Sequence, residues 1–110
     1  MFPRIIYLES KPHYMIISET PYSITKESIA ALRFPIQEVL KSALEIRQRM
    51  ADLHRGLSLG NIHKGKVKII FEDGESVKQV ETTIWALTDN RVILKQGLGI
   101  PLHRIHRVLT

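Results

Sequence analysis

The sequence predicts an α+β protein: an N-terminal β-hairpin, a long kinked helix, and a C-terminal five-stranded antiparallel small barrel or bent sheet. Three observations carry this. Short β-branched and aromatic runs stand at both ends of the chain. Helix formers with apolar residues three and four apart fill the middle. An aspartate-glycine pair at 73–74 separates two apolar runs. At 110 residues the chain has the length of one domain, divided into hairpin (1–22), helical segment (23–57) and small barrel (64–110). A chain of this size buries roughly 65% of its unfolded surface, enough for a modest core.

The hairpin strands are "RIIYLE" and "HYMIISE", joined by Ser10-Lys11-Pro12, where proline suits a turn and not a central strand. Ser23 or Thr25 can cap the helical segment, because a side-chain oxygen there accepts from a free N–H of a first helical turn. Helix formers dominate from Lys26 to Arg55. Apolar residues fall at Ile29, Leu32, Ile36, Val39, Ala43, Ile46, Met50, Leu53 and Leu57, an unbroken heptad seam that Leu40 and Leu44 widen. Pro35 removes one helical hydrogen bond and biases Phe34 away from helical angles. The expectation is a short helix, a break near Phe34, a longer helix from Pro35 to His54, and an end at Gly56 or Gly60. Arg47, Gln48, Arg49 and Asp52 flank the seam past Ile46. Ile46, Met50, Leu53 and Leu57 are therefore the candidate seam of a homodimer, unless the chain's own sheet covers them.

"KVKIIFED" alternates, with Val67, Ile69 and Phe71 on one face. After Asp73-Gly74 comes a long strand, "SVKQVETTIWALT", whose apolar register shifts between Val77 and Val80, predicting a bulge or bend there. Asp89-Asn90 turns the chain into "RVILKQ". Gly97 and Gly99 frame a further turn into "GIPL", which Pro101 places at an edge or bend. Strict alternation fails in the closing "GIPLHRIHRVLT". A strand "IPL", a 3₁₀ turn at His103-Arg104-Ile105 and a strand "HRVL" fit best. Ile100, Leu102, Ile105 and either Val108 or Leu109 then reach the core, leaving His103, Arg104 and Arg107 outside.

Five short strands, a bent second strand and a 3₁₀ step before the last resemble a small SH3-like or Sm-like barrel over residues 64–110. The run Ile100, Leu102, Arg104 and Ile105 is similar to the "I-x-L-x-R-I" run of the Rho-inhibiting antiterminator type of Sm-like domain. The Sm pattern also has an Asp-x-x-x-Asn motif and an Arg-Gly pair. Here Asn90 has no matching aspartate and "GIPLHR" has no Arg-Gly, so the Sm uridine pocket does not carry over.

The formal charge of +5 is unevenly spread. From Leu53 to Phe71 there is no acid, but Arg55, Lys64, Lys66 and Lys68. From Asn90 to Thr110 there is none either, but Arg91, Lys95, Arg104 and Arg107. Lys64, Lys66, Lys68, Arg91, Lys95, Arg104 and Arg107 are the candidate polyanion contacts, since clustered basic residues mark such a face. The absence of cysteine excludes disulfides, thiolate metal sites and cysteine nucleophiles. His103-x-x-His106, with His54 and His63, has metal-pair spacing, but a zinc site needs three or four converging ligands, so surface histidines are expected and no cofactor. Ser23, Ser28, Ser58 and Ser76 sit in no nucleophile elbow, Glu72, Asp73 and Glu75 flank a turn, and "GLGIP" lacks phosphate-loop spacing; no enzyme is expected. Trp85 is expected in the core, with a base-stacking platform as the alternative. The N-terminus has a four-residue apolar run, too short for a signal or membrane span, which predicts a cytoplasmic protein. These readings add up to a non-catalytic self-associating or partner-binding module, or alternatively a module for RNA or single-stranded nucleic acid.

Overall fold

Ser42 and Glu45 decide where the helix begins. The computed structural model describes the backbone of residues 5–10 and 13–17 and the whole of residues 20–110. In it the Ser42 hydroxyl accepts from the Glu45 N–H at 3.1 Å, and the Glu45 carboxylate accepts from the Ser42 N–H at 3.3 Å. This reciprocal capping box satisfies two N–H groups that a helix start leaves free. Helix α1 accordingly runs Ala43–His63, not from Pro35, and continues through Gly56 and Gly60 instead of ending there. Upstream lie strand β1 (Ile5–Ser10), strand β2 (His13–Ile17), strand β3 (Tyr22–Ile24) and a 3₁₀ turn over Lys26–Ala31. β1 and β2 pair antiparallel; Lys11 and Pro12 of the expected hairpin turn lie outside the described residues. Between the 3₁₀ turn and the helix, residues 32–42 form an irregular connector around Pro35.

The heptad seam does not survive this boundary. Its first four residues are off the helix, and Ile36 is 87% exposed. On α1, Ile46 and Met50 remain 37% and 38% exposed; Leu53 is fully buried and Leu57 packs against the core. The buried face is instead Arg49, Asp52, Leu53, Gly56 and Gly60. The two glycines bring backbone against sheet: a Cβ on Gly60 would land on the Ile84 carbonyl oxygen, and one on Gly56 would meet the Ile84 side chain at 2.9 Å. Of the four candidate dimer residues, Leu53 and, half-buried, Leu57 are thus taken by the chain's own core, and Ile46 and Met50 are left at the surface.

Strands β4 (Val67–Glu72), β5 (Val77–Thr82), β6 (Ile84–Leu87), β7 (Arg91–Leu94), β8 (Gly99–Pro101) and β9 (Ile105–Leu109) form two sheets. One has the order β3-β5-β4-β9, with β3 parallel to β5; the other is β6-β7-β8. Asp73-Gly74 makes the tight β4–β5 connection, with the Asp73 carboxylate accepting from the N–H groups of Glu75 and Ser76 at 3.1 and 3.0 Å. No bulge lies between Val77 and Val80: β5 pairs with β4 in unbroken register from Glu72↔Val77 to Val67↔Thr82. The long strand breaks at Thr83 and passes into the second sheet. Two residues later the pairing steps from Ile84↔Leu94 to Ala86↔Ile93, leaving Trp85 as the extra residue of a bulge. A second bulge, at His106, takes β9 from Phe71↔Ile105 to Ile70↔Arg107. It explains why alternation fails in the closing segment, since Ile105, His106 and Val108 all end up buried. The 3₁₀ turn lies at Leu102–Arg104, one residue earlier than expected. The core gathers Leu53, Val67, Ile69, Phe71, Val80, Ile84, Val92, Leu94, Ile100, Ile105 and Val108.

Candidate functional site

Two polar assemblies flank this core. The first centres on Arg104, which is buried and not outside as expected. Its Nε donates to the Glu72 carbonyl at 3.0 Å, Nη1 to the Gln37 carbonyl at 2.8 Å and Nη2 to the Asp73 carbonyl at 3.3 Å; the Glu72 carboxylate lies 3.8 Å away. The acid-free closing segment is answered by groups from far earlier in the chain. Arg49 holds Glu38 through two bonds of 2.6 and 2.7 Å and donates to the Ile105 carbonyl at 3.0 Å. Burial pushes the Glu38 carboxyl upward, but Arg49 and the Leu40 N–H outweigh it and hold it below the usual carboxylate range. Asp73 behaves alike: burial raises it, but the Lys78 ammonium at 2.8 Å and the turn N–H groups outweigh that and hold it below its ordinary value. Asp52, fully buried, binds Gln48 and Arg55 on its own helix and accepts from Arg107 Nε of β9 at 3.1 Å. His103 Nε2 donates to the Pro35 carbonyl at 3.0 Å, and His106 is buried with Nε2 3.0 Å from Glu72 Oε1, so it is no surface histidine. These groups fasten the connector and α1 to β9. Among the described residues no group of three His, Cys, Asp or Glu is placed to hold a metal.

The second assembly is open. Gly60, Asn61, Lys64, Thr83, Trp85 and Lys95 line a groove of about 470 Å³, and no carboxylate is among them. Gly60 sets it up by letting the last turn of α1 lie directly on the sheet at Ile84. Lys64 then ends the helix in the left-handed conformation, φ 53°, its N–H bonding the Gly60 carbonyl at 3.1 Å and the next N–H bonding Leu59 at 3.2 Å. Glycine is the usual occupant of that position. On the far side, the Lys95 N–H bonds the Thr83 carbonyl at 3.0 Å, and Gln96 follows at φ 73°. Between them the bulge turns Trp85 outward, leaving it 50% exposed; the expected core position belongs to Ile84. Lys64 and Gln96 are the non-glycine residues with positive φ among the described residues. One lies in the groove and the other adjoins it.

The candidate basic residues divide accordingly. Lys64 and Lys95 meet at the groove. Lys66, exposed, precedes the Val67↔Thr82 pair and so leaves the ladder at the end where Thr83 stands. Lys68 pairs across the strands with Glu81 and lines a separate, mixed-charge hollow with Lys26, Glu27 and Gln79. Arg91 is exposed at the opposite end of β7 from Lys95 and donates to the Gly99 carbonyl at 3.2 Å. Arg104 and Arg107 belong to the buried assembly. Asn61 and Thr83 carry no local signal in the sequence, because the approach of a helix end to a sheet bend creates their role. The chain matches no protein-family model, no curated protein and no solved structure.

Proposed function

We propose that this chain is a non-catalytic binding module for single-stranded nucleic acid, with a base stacked on Trp85 and its flanking phosphates drawn to Lys64 and Lys95. The observation that carries the reading is the convergence on one groove of a left-handed lysine, a bulged and half-exposed tryptophan and a second lysine beside another left-handed residue. Backbone held against its preference persists where the surroundings enforce it, and such positions cluster at binding sites. Stacking on an aromatic ring beside cations is how unpaired bases are held without sequence readout. The succession of β4, the bent β5–β6 pair, β7, β8, the 3₁₀ step and β9 supports placing residues 64–110 with small SH3-like barrels.

Trp85 is the sole tryptophan, so its fluorescence reports on the groove alone. Titration with single-stranded oligonucleotides at low salt is expected to quench it saturably. Two phosphate contacts give a plot of log affinity against log salt with a slope of about −1.4. Lys64→Ala with Lys95→Ala is expected to abolish binding at unchanged secondary structure. Absence of quenching by every oligonucleotide at low salt overturns the reading.

Self-association is a second reading, favoured by the exposure of Leu44, Ile46 and Met50 on α1. Sedimentation of a stable dimer that Met50→Glu converts to a folded monomer supports it; a wild-type monomer at high concentration removes it. Among the described residues no helix is long and apolar enough to cross a membrane.

A further inference from the structure

The groove offers more than a ring and two cations. Thr83 is 9% exposed and lies on the groove wall, and its hydroxyl has no hydrogen-bond partner among the described residues. The Thr83 oxygen is not one of the buried polar atoms that lack a partner, so it is open to water, and a ligand that covers it must supply the hydrogen bond that water makes. The Asn61 amide also lines the groove and makes no side-chain hydrogen bond among the described residues. Lys64 and Lys95 form no ion pair there either. The side-chain polar groups of Asn61, Lys64, Thr83 and Lys95 are thus uncommitted among the described residues.

Thr83 stands two residues before Trp85, within roughly 6–7 Å along an extended chain. That span is of the order of one nucleotide, so the wall at Thr83 can meet the sugar of a nucleotide whose base covers Trp85. A ribose 2′-hydroxyl both donates and accepts, and Thr83 and Asn61 each offer both complements. Deoxyribose would cover the Thr83 hydroxyl without replacing the hydrogen bond that water makes to it in the free protein.

From this placement, and resting on the nucleic-acid reading above, we infer that the groove selects RNA over DNA, with Thr83 and Asn61 taking the 2′-hydroxyl of the nucleotide whose base covers Trp85. Selection acts through the sugar, so it is independent of base identity.

The test is a fluorescence titration of the full chain with RNA and DNA oligonucleotides of one sequence at one low salt concentration. The RNA is expected to bind about fivefold more tightly, the ratio that one additional neutral hydrogen bond supplies. Thr83→Val keeps the shape of the side chain and removes only a hydroxyl without a protein partner, so the fold is retained and the ratio falls towards one. Asn61→Ala, at an exposed position, is expected to lower the ratio in the same direction. Equal affinity of the native chain for RNA and DNA overturns the inference while leaving the nucleic-acid reading intact. Preference for RNA that survives both substitutions also overturns it. Quenching by neither oligonucleotide overturns both readings together.

Discussion

The two ends of α1 are built by opposite rules. At its N-terminal half, Arg49 and Asp52 enter a buried assembly in which guanidinium groups meet carboxylates and carbonyls of distant segments. At its C-terminal end, Gly60, Asn61 and Lys64 border a groove whose cations are unpaired and whose backbone is left-handed. The first region uses charge to hold segments together. The second keeps charge and hydrogen-bonding capacity available, at some cost to stability. The difference teaches that net charge alone does not locate a binding face. Of the seven candidate basic residues, only those left unanswered by the fold can answer a ligand.

The largest effect is expected at Arg104. Arg104→Met removes the donor to the carbonyls of Gln37, Glu72 and Asp73, and losing three charge-assisted hydrogen bonds, one buried and two half-buried, costs about 3–5 kcal/mol, while the Glu72 carboxylate keeps His106. A urea melt measures the loss, while oligonucleotide affinity of the remaining folded protein should be unchanged. A melt indistinguishable from the native one would dissolve the contrast between the two regions. Next in size is Gly60→Ala. The added Cβ meets the Ile84 carbonyl, so the helix end must lift, costing about 1–3 kcal/mol and loosening the groove. Thermal melting and Trp85 quenching should deteriorate together.

Lys64→Gly sharpens the comparison because its two effects have opposite signs. Glycine accepts the left-handed conformation freely, so the fold should gain about 1 kcal/mol. The lost ammonium should weaken oligonucleotide binding. A variant that is both less stable and equally able to bind would show that Lys64 is an ordinary helix terminus.

Acid should produce the smallest change, confined to the buried assembly. Glu38 and Asp73 have folded-state carboxyls below their ordinary values of 4.5 and 3.8. Their contribution is therefore fully present above those values and is lost as pH falls through the lowered ones. Stability measured by urea melts should decline gently below about pH 4.5, whereas Asp73→Asn should flatten part of that decline. No carboxylate lines the groove, so a matching loss of ligand affinity in folded protein is not expected.

Much of the fold is legible in the sequence because local rules and tertiary structure agree there. Val67, Ile69 and Phe71 alternate and face the core, Asp73-Gly74 turns the chain, and the strands after it stand where their apolar runs predict. Apolar spacing misplaces the helix because it is blind to capping. Ser42-x-x-Glu45 is in the sequence and marks the true start. Gly56 and Gly60 read as terminators, since nothing local distinguishes a glycine that ends a helix from one that lets a sheet approach it. Arg104 reads as exposed because no acid is near it in sequence; its partners lie on another strand and in the connector. The groove is half legible: Lys64 and Lys95 stand among the basic candidates, and Trp85 has stacking as its alternative to the core. Their convergence depends on the bend at Thr83 and the bulge after it, and the apolar pattern points to a bulge nearer Val77.

The Arg104 contacts also bear on time. Its carbonyl partners are 31, 32 and 67 positions away along the chain. Closing loops of that length is entropically unfavourable until the strands between them are in place. If these contacts form after the strands between them, Arg104→Met speeds unfolding more than it slows refolding, which the two arms of a plot of rate against denaturant read separately.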